Sequence, residues 1–323
     1  MNTSNGLSRH NKSMFTLVIP THNRVAILRR TLAHLLKLDE ISECEIIVVN
    51  DGSTDETGAL LEHYRQMAPA LLRVITLENG GPGRARNFGV RAAQNERILF
   101  VDDDVFPRQG MLQSHRHLLD AGYTGSQGLL LWHHEISMTP LIRYIDSRGS
   151  QFAFDQVKNA DSLDFAYVYT GNFAVQRSAV LNAGGFDESF FNKELKFSAF
   201  EDTILGFSLQ QNGAKLALNR DAVADHLHDM QEDAYFSREY KVGYCIGRLQ
   251  KKHPAIARLL GLERKDFLVE PQVHLLSMMN SQPFLKYIAG HPLRMRLRHR
   301  EAFCRGFLHF KRETTDTRKR PIQ

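Results

Sequence analysis

The run Phe100-Val101-Asp102-Asp103-Asp104-Val105 sets three consecutive carboxylates directly after a short apolar segment, Arg97 to Val101. An apolar run of that length reads as a buried strand, and open α/β sheets bind ligands at the C-terminal ends of their strands. Oxygen-only donors on one short loop suit a hard divalent cation, Mg2+ or Mn2+, which can also grip a diphosphate. The other reading of such a cluster is a solvated acidic turn, so the surrounding chain has to decide. Three more polar loops follow apolar runs: Pro20-Thr21-His22-Asn23, Asn50-Asp51-Gly52-Ser53 and Glu78 to Gly83. Asp51 can accept a hydrogen bond from a base N–H, and Arg84 or Arg86 can face phosphate or a base carbonyl.

The elements that must position these loops alternate regularly over the first hundred residues. Phe15 to Ile19 reads as a strand ended by Pro20, and Val25, Leu28, Leu32, Leu35 and Leu36 recur at helical spacing, giving a helix from about Arg24 to Leu38. Glu45 to Val49 is a second strand, and Thr54 or Asp55 caps a helix running to about Met67. Leu72 to Leu77 is a third strand, Arg84 to Gln94 a helix, and Arg97 to Val101 the strand entering the triple Asp. Strand–helix repetition with continuous apolar strands implies right-handed crossovers and a parallel sheet covered on both faces. In such a sheet the four loops converge on one rim and can line one pocket. Farther on, Leu112 to Leu119 reads as a helix and Gly128 to Trp132 as a strand, while His133 to Asp164 shows no clean period. An ordered block runs from Phe165 to Glu188, Glu201-Asp202 opens a helix to about Asn212, and the chain beyond Asp229 is mostly helical. Phe190, Phe191 and Phe197 to Phe200 read as packing.

The chain has 323 residues and a net charge of +5, but the charge is unevenly placed. Between Arg294 and Arg320 there are ten Lys/Arg against three acidic residues, a net +7 that leaves the rest at −2. This segment interleaves Leu293, Leu297, Phe303, Phe307, Leu308 and Phe310 with its arginines. It can lie on an anionic membrane or pack as a helix with solvated arginines. Three widely spaced cysteines with no C-x-x-C pair point to free thiols in a reducing compartment. The first thirteen residues are polar, with no apolar signal core, and no apolar run reaches 18 residues, so a cytoplasmic location is expected, with peripheral contact at the inner membrane face as an option. No G-x-G-x-x-G follows the first strand and no G-x-x-x-x-G-K-[ST] occurs, which disfavours an NAD fold or a P-loop NTPase.

Taken together, the motifs resemble those of a family-two inverting glycosyltransferase of the GT-A (Rossmann-like) fold. The matching stretches are Val18 to Arg24, Val48 to Asp55, Asn79-Gly80-Gly81 with Ala85 to Gly89, and Leu99 to Asp104. Gly171-Asn172, Gly184 to Glu188, Glu201-Asp202 and His226-Leu227-His228 follow in the same order. The match covers about Phe15 to His228. The organisation expected is a polar N-terminal tail (1–13), a GT-A domain (14–229), a helical C-terminal region (230–310) and a basic tail (311–323).

The resemblance implies a nucleotide-sugar donor with its base near Pro20, Thr21, His22, Asn23, Asp51 and Arg86, and Asp102 and Asp103 on ribose and diphosphate. It implies Asp104 as a direct ligand of Mg2+ or Mn2+, completed by His226 or His228. Their i, i+2 spacing turns both the same way on a strand and does not choose between them. Asp202 matches the catalytic base, while Gly185 and Glu201 fall on the acceptor side. Such an enzyme transfers one sugar by single displacement to a carbohydrate or lipid-linked acceptor. A sugar nucleotidyltransferase would need a different loop after the first strand, and a nucleic-acid-binding module would not need the carboxylates; no nucleic-acid partner is expected.

Overall fold

The computed structural model describes residues 15–147, 152–263, 269–281 and 292–319. The polar tail 1–13 and the last four residues of the basic tail lie outside these. The expected strands and helices form in order: β1 (Thr16–Thr21), α1 (Val25–Leu35), β2 (Glu45–Asp51), α2 (Thr57–Met67), β3 (Leu72–Leu77), α3 (Pro82–Ala92) and β4 (Arg97–Val101). Then come β5 (Val105–Pro107), α4 (Met111–Asp120), β6 (Gly125–Trp132), α5 (Pro140–Ser147), β7 (Asn172–Gln176), α6 (Arg177–Asn182), α7 (Glu201–Gln211) and β8 (Leu216–His226). Four helices close the chain: α8 (Glu232–Lys252), α9 (Pro254–Leu259), α10 (Val269–Asn280) and α11 (Pro292–Lys319).

The strands make one eight-stranded sheet in the order β3-β2-β1-β4-β7-β6-β8-β5. Its first four strands are parallel, as continuous apolar strands joined by helices require, and β2 and β4 are buried almost throughout. β1 continues through Pro20 to Thr21, past the expected stop. Pairing with β4 ends at Val18, so at Pro20 the strand is held from the β2 side alone, and an absent amide is tolerated there.

Several elements did not show in the sequence pattern, α6 and β8 among them. β7 runs antiparallel between β4 and β6, and its five residues, Asn-Phe-Ala-Val-Gln, are too few and too mixed to show a period. β5 is only three residues long and exists because it pairs with β8. α5 lies in the stretch that looked aperiodic. Its Leu141, Ile142, Tyr144 and Ile145 bury against Tyr235 and Phe236 of α8 and Met295 of α11, partners far away in sequence.

The basic segment is a helix packed on α8. Met295, Phe303, Cys304, Phe307 and Phe310 are buried, so most of the apolar surface a membrane would need is already covered. The two backbones meet at glycines: a Cβ on Gly306 would lie 1.7 Å from the Tyr240 carbonyl oxygen, and one on Gly243 would lie 2.0 Å from that of Phe303. Arg294 and Arg298 pair with Glu232 of α8, and Arg298 also with Asp233. No helix among the described residues is long and apolar enough to cross a membrane. All three cysteines are buried.

Candidate active site

The triple Asp loop is held by its neighbours on both sides. Thr21 Oγ1, at the end of β1, donates to Asp103 Oδ2 at 2.7 Å, and Thr31 Oγ1 of α1 donates to the Asp103 carbonyl. Arg24, at the start of α1, spans the next two carboxylates, with Nη1 3.2 Å from Asp103 and Nη2 2.6 Å from Asp104. Asp102 keeps 34% of its side chain exposed, whereas Asp104 keeps 4%. Burial drives the Asp103 carboxyl up to about 7 against the pull of Arg24, with Asp104 and Asp102 adding to the rise. Asp104 is equally buried, but His226, His228 and Arg24 hold it well below the usual carboxylate range.

Strand pairing carries the histidines to Asp104. Val105 of β5 sits opposite His226 of β8, and the Leu227 amide donates to the Asp104 carbonyl at 2.9 Å. His226 Nε2 then lies 3.3 Å from Asp104 Oδ1, and His228 Nδ1 lies 3.2 Å from Oδ2. The two rings are nearly parallel, 8° apart with centroids at 5.5 Å, as i, i+2 positions on an extended strand should be. One ligand atom from each of Asp104, His226 and His228 falls within a 4.8 Å cluster. An ionised carboxylate with two imidazoles in one cleft fits a divalent cation, and both histidines are placed to take part.

The nucleotide side is built on β1, β2 and the glycine loop before α3. Asp51 accepts hydrogen bonds from the Gly80 and Gly81 amides and from Asn79 Nδ2, which folds that loop back over the end of β2. Gly81 has φ 90°, and a Cβ there would strike Phe191 at 2.5 Å. His22 Nδ1 lies 2.8 Å from the Asp51 carbonyl oxygen. Pro20, Thr21, His22, Asp51, Arg86, Asp102, Asp103, Asp104, His226 and His228 all line a single cleft of about 340 Å3.

The other expected site residues stand outside that wall. Asn23 turns away, with φ 53°, and its Oδ1 accepts from the Thr54 amide, tying the β1 loop to the β2 loop. Gly185 has φ 73°, and Asn87 clamps the turn, accepting from the Phe186 amide and donating to its carbonyl. Glu201 accepts from Ser198 Oγ at 2.9 Å.

Asp202 stands beyond Arg86. The guanidinium donates to Asp102 Oδ1 at 2.6 Å, and its other terminal nitrogen is 3.9 Å from Asp202 Oδ1. Arg86 is therefore a buried strut between the acidic loop and Asp202. Its Nε finds no hydrogen-bond partner. The Thr170 amide and hydroxyl both donate to Asp202. Phe200, just ahead of α7, adopts φ 72°, a conformation that costs an aromatic residue about 1–3 kcal/mol and fixes the direction in which α7 begins. Burial lifts the Asp202 carboxyl to about 6, opposed by Arg86 and helped by Glu201 and Asp102.

Four cleft residues had no role assigned from the sequence: Arg24, Pro82, Met230 and Arg238. Arg24 lay inside a matched motif, and its position one residue before α1 was the available signal. Met230 and Arg238 reach the cleft from the C-terminal region, where no local pattern marks them.

This sheet order, with an acidic and imidazole-lined cleft at one rim, is that of the GT-A fold. The solved structure of the mannosyltransferase PcManGT from Pyrobaculum calidifontis, in complex with GDP-Man and Mn2+, superposes with a TM-score of 0.61 at 15% identity, covering 93% of this chain and 87% of that one. Residues 1–349 of S. aureus TarS in complex with UDP-GlcNAc superpose with a TM-score of 0.53 at 17% identity, covering 93% and 92%. In sequence, poly(ribitol-phosphate) beta-N-acetylglucosaminyltransferase TarS of Staphylococcus aureus is 26% identical over 211 residues, 64% of this chain and 34% of the relative. The chain spans about a third of the length of the curated relatives it matches first. The family model for glycosyl transferase family 2 matches residues 16–184. The chain belongs to glycosyl transferase family 2.

Proposed function

We propose that this chain is a divalent-metal-dependent, inverting glycosyltransferase that moves one sugar from a nucleotide donor to an acceptor hydroxyl. The observation that carries the reading is the Arg86 strut. It sets Asp202, a carboxylate lifted to about 6, one side chain away from a carboxylate loop that faces two histidines. Two fold neighbours were solved with GDP-Man and UDP-GlcNAc, which supports a nucleotide-sugar donor.

In this reading the base lies against Pro20, His22 and Asp51, and Asp102 and Asp103 meet the ribose and diphosphate. Asp104, His226 and His228 would hold the metal. The imidazole pair weighs toward Mn2+ over Mg2+, which takes oxygen ligands. When bound, the metal supplies positive charge to the diphosphate that departs. Arg24, paired with Asp103 and Asp104, and Arg238, paired with Glu239, also line the cleft and offer N–H donors to an anionic ligand. Asp202 takes the proton of the acceptor hydroxyl as its oxygen bonds to the anomeric carbon and the bond to the nucleoside diphosphate breaks. At neutral pH a carboxyl at about 6 is ionised yet more basic than an ordinary aspartate. The acceptor is a carbohydrate, free or lipid-linked.

Calorimetric titration of UDP and GDP, with and without Mn2+, tests the donor site. One of them should bind in a Mn2+-dependent manner, and Asp104→Ala should lose the metal-dependent part while its melting curve stays cooperative. Equal binding with and without metal, or an unchanged Asp104→Ala variant, refutes the metal assignment.

A further inference from the structure

A second groove of about 370 Å3 runs beside the donor cleft. Its walls combine aliphatic side chains (Leu129, Leu130, Leu131 and Ile145) with aromatic ones, and its rim is charged. β6 supplies Trp132, and the segment after α5 supplies Phe152 and Phe154, whose rings are stacked with centroids 6.1 Å apart. Asp146, Asp155 and Arg220 stand at the edge, all exposed. Trp132 Nε1 donates to Asp146 Oδ1 at 3.1 Å, which fixes the indole plane. Asp155 and Arg220 have no ion-pair partner among the described residues.

The wall of the groove packs against the site. Phe152 packs its ring edge-to-face on His226 at 5.4 Å and on Tyr169 at 5.5 Å. Tyr169 immediately precedes Thr170, which holds Asp202. One aromatic side chain thus touches both a candidate metal ligand and the residue next to the anchor of the candidate base. Trp132 reaches the same histidine, with centroids 6.5 Å apart.

We propose that this groove binds the acceptor as a chain of uncharged sugars, holding the units behind the one that is glycosylated; the proposal rests on the transferase reading above. Aromatic faces take the C–H faces of pyranose rings, and the carboxylates and the guanidinium at the rim exchange hydrogen bonds with hydroxyls. A lipid tail would leave the charged rim unmatched. Among the described residues the rim carries two carboxylates against one arginine, a balance that disfavours a phosphorylated or uronic-acid chain. The volume lies within the roughly 300–1,000 Å3 of small-ligand sites.

Trp132 is the only tryptophan of the chain, so its emission reports this groove directly. The full chain is titrated with neutral tetrasaccharides (cello-, chito-, malto- and β-1,3-gluco-) and with anionic hyaluronan and polygalacturonate fragments of equal length. At least one neutral member should give a saturable change in emission, with the anionic fragments at least tenfold weaker. Asp155→Ala and Arg220→Ala, both surface changes that leave the core untouched, should each weaken that binding several-fold, and the pair together about tenfold or more. Mn2+-dependent nucleoside-diphosphate binding should be unchanged in both variants. No response to any neutral tetrasaccharide, equal or tighter anionic binding, or full binding by the double variant would overturn the proposal. The nucleoside-diphosphate titration on the same samples separates the two readings: its failure in the wild type removes the transferase assignment, whereas the saccharide response judges the groove.

Discussion

Asp202→Asn should cost the protein its turnover and raise its stability at the same time. The carboxyl is lifted from its ordinary 3.8 to about 6, chiefly by burial. Ionising it in the folded chain therefore costs about 3 kcal/mol more than in the unfolded chain. The sign follows from proton binding: the folded state holds the proton more tightly, so stability falls as pH rises from about 4 to about 6 and is level above that. An asparagine avoids this cost but offers one acceptor oxygen where Thr170 now donates twice, a loss of about 1 kcal/mol. The variant should thus be more stable by about 2 kcal/mol at pH 8, a rise of about 4 °C in melting temperature. At pH 4.5 the advantage should vanish or change sign. Transfer should drop by about two to four orders of magnitude, the usual worth of a general base, with donor affinity unchanged. Wild-type activity should fall on the acid side with an apparent pKa of about 6. Thermal melts at the two pH values, paired with initial rates, provide the measurement. A rate within a few-fold of wild type means another group deprotonates the acceptor, and a melting difference that ignores pH means the carboxyl is not held at a raised pKa.

Other perturbations probe the supporting structure. Arg238→Gln should lower kcat/KM for the donor by about tenfold, the worth of a partly exposed cation near a diphosphate, and steady-state kinetics at low and high salt should show the gap closing as salt rises. His115 is fully buried between Ser126 and Asn172, and burial pushes its pKa down to about 4. Because the folded state resists protonation, about 3 kcal/mol of stability should be lost as pH falls from about 6.5 to about 4, and urea midpoints across that window should flatten in His115→Gln. Gly306→Leu should separate α11 from α8 and cost about 3 kcal/mol or more, seen as a lower and broader melt, since even a methyl would overlap the Tyr240 carbonyl.

The sequence by itself determined the parallel half of the sheet, because β1, β2 and β4 are buried on both faces and their composition must say so. It also brought out the loops at the rim, since glycine and carboxylate residues recur at the ends of successive apolar strands. Local pattern could not reveal β5, β7 or α5, whose stability comes from partners far away in sequence or from a sheet position that no short strand announces. The same limit applies to the site. The i, i+2 spacing of His226 and His228 showed that they face one way, but only the pairing of β5 with β8 brings both to Asp104. Arg86 illustrates the division most clearly. Its motif placed it near the nucleotide, yet its position as a buried strut between Asp102 and Asp202 depends on where α7 starts, and that is decided by the strained Phe200 and the helices packed behind it. The basic C-terminal segment offered the sequence two options, and tertiary packing chose between them: glycine-to-backbone contact with α8 buries its aromatic residues, a contact that periodicity within one helix does not encode.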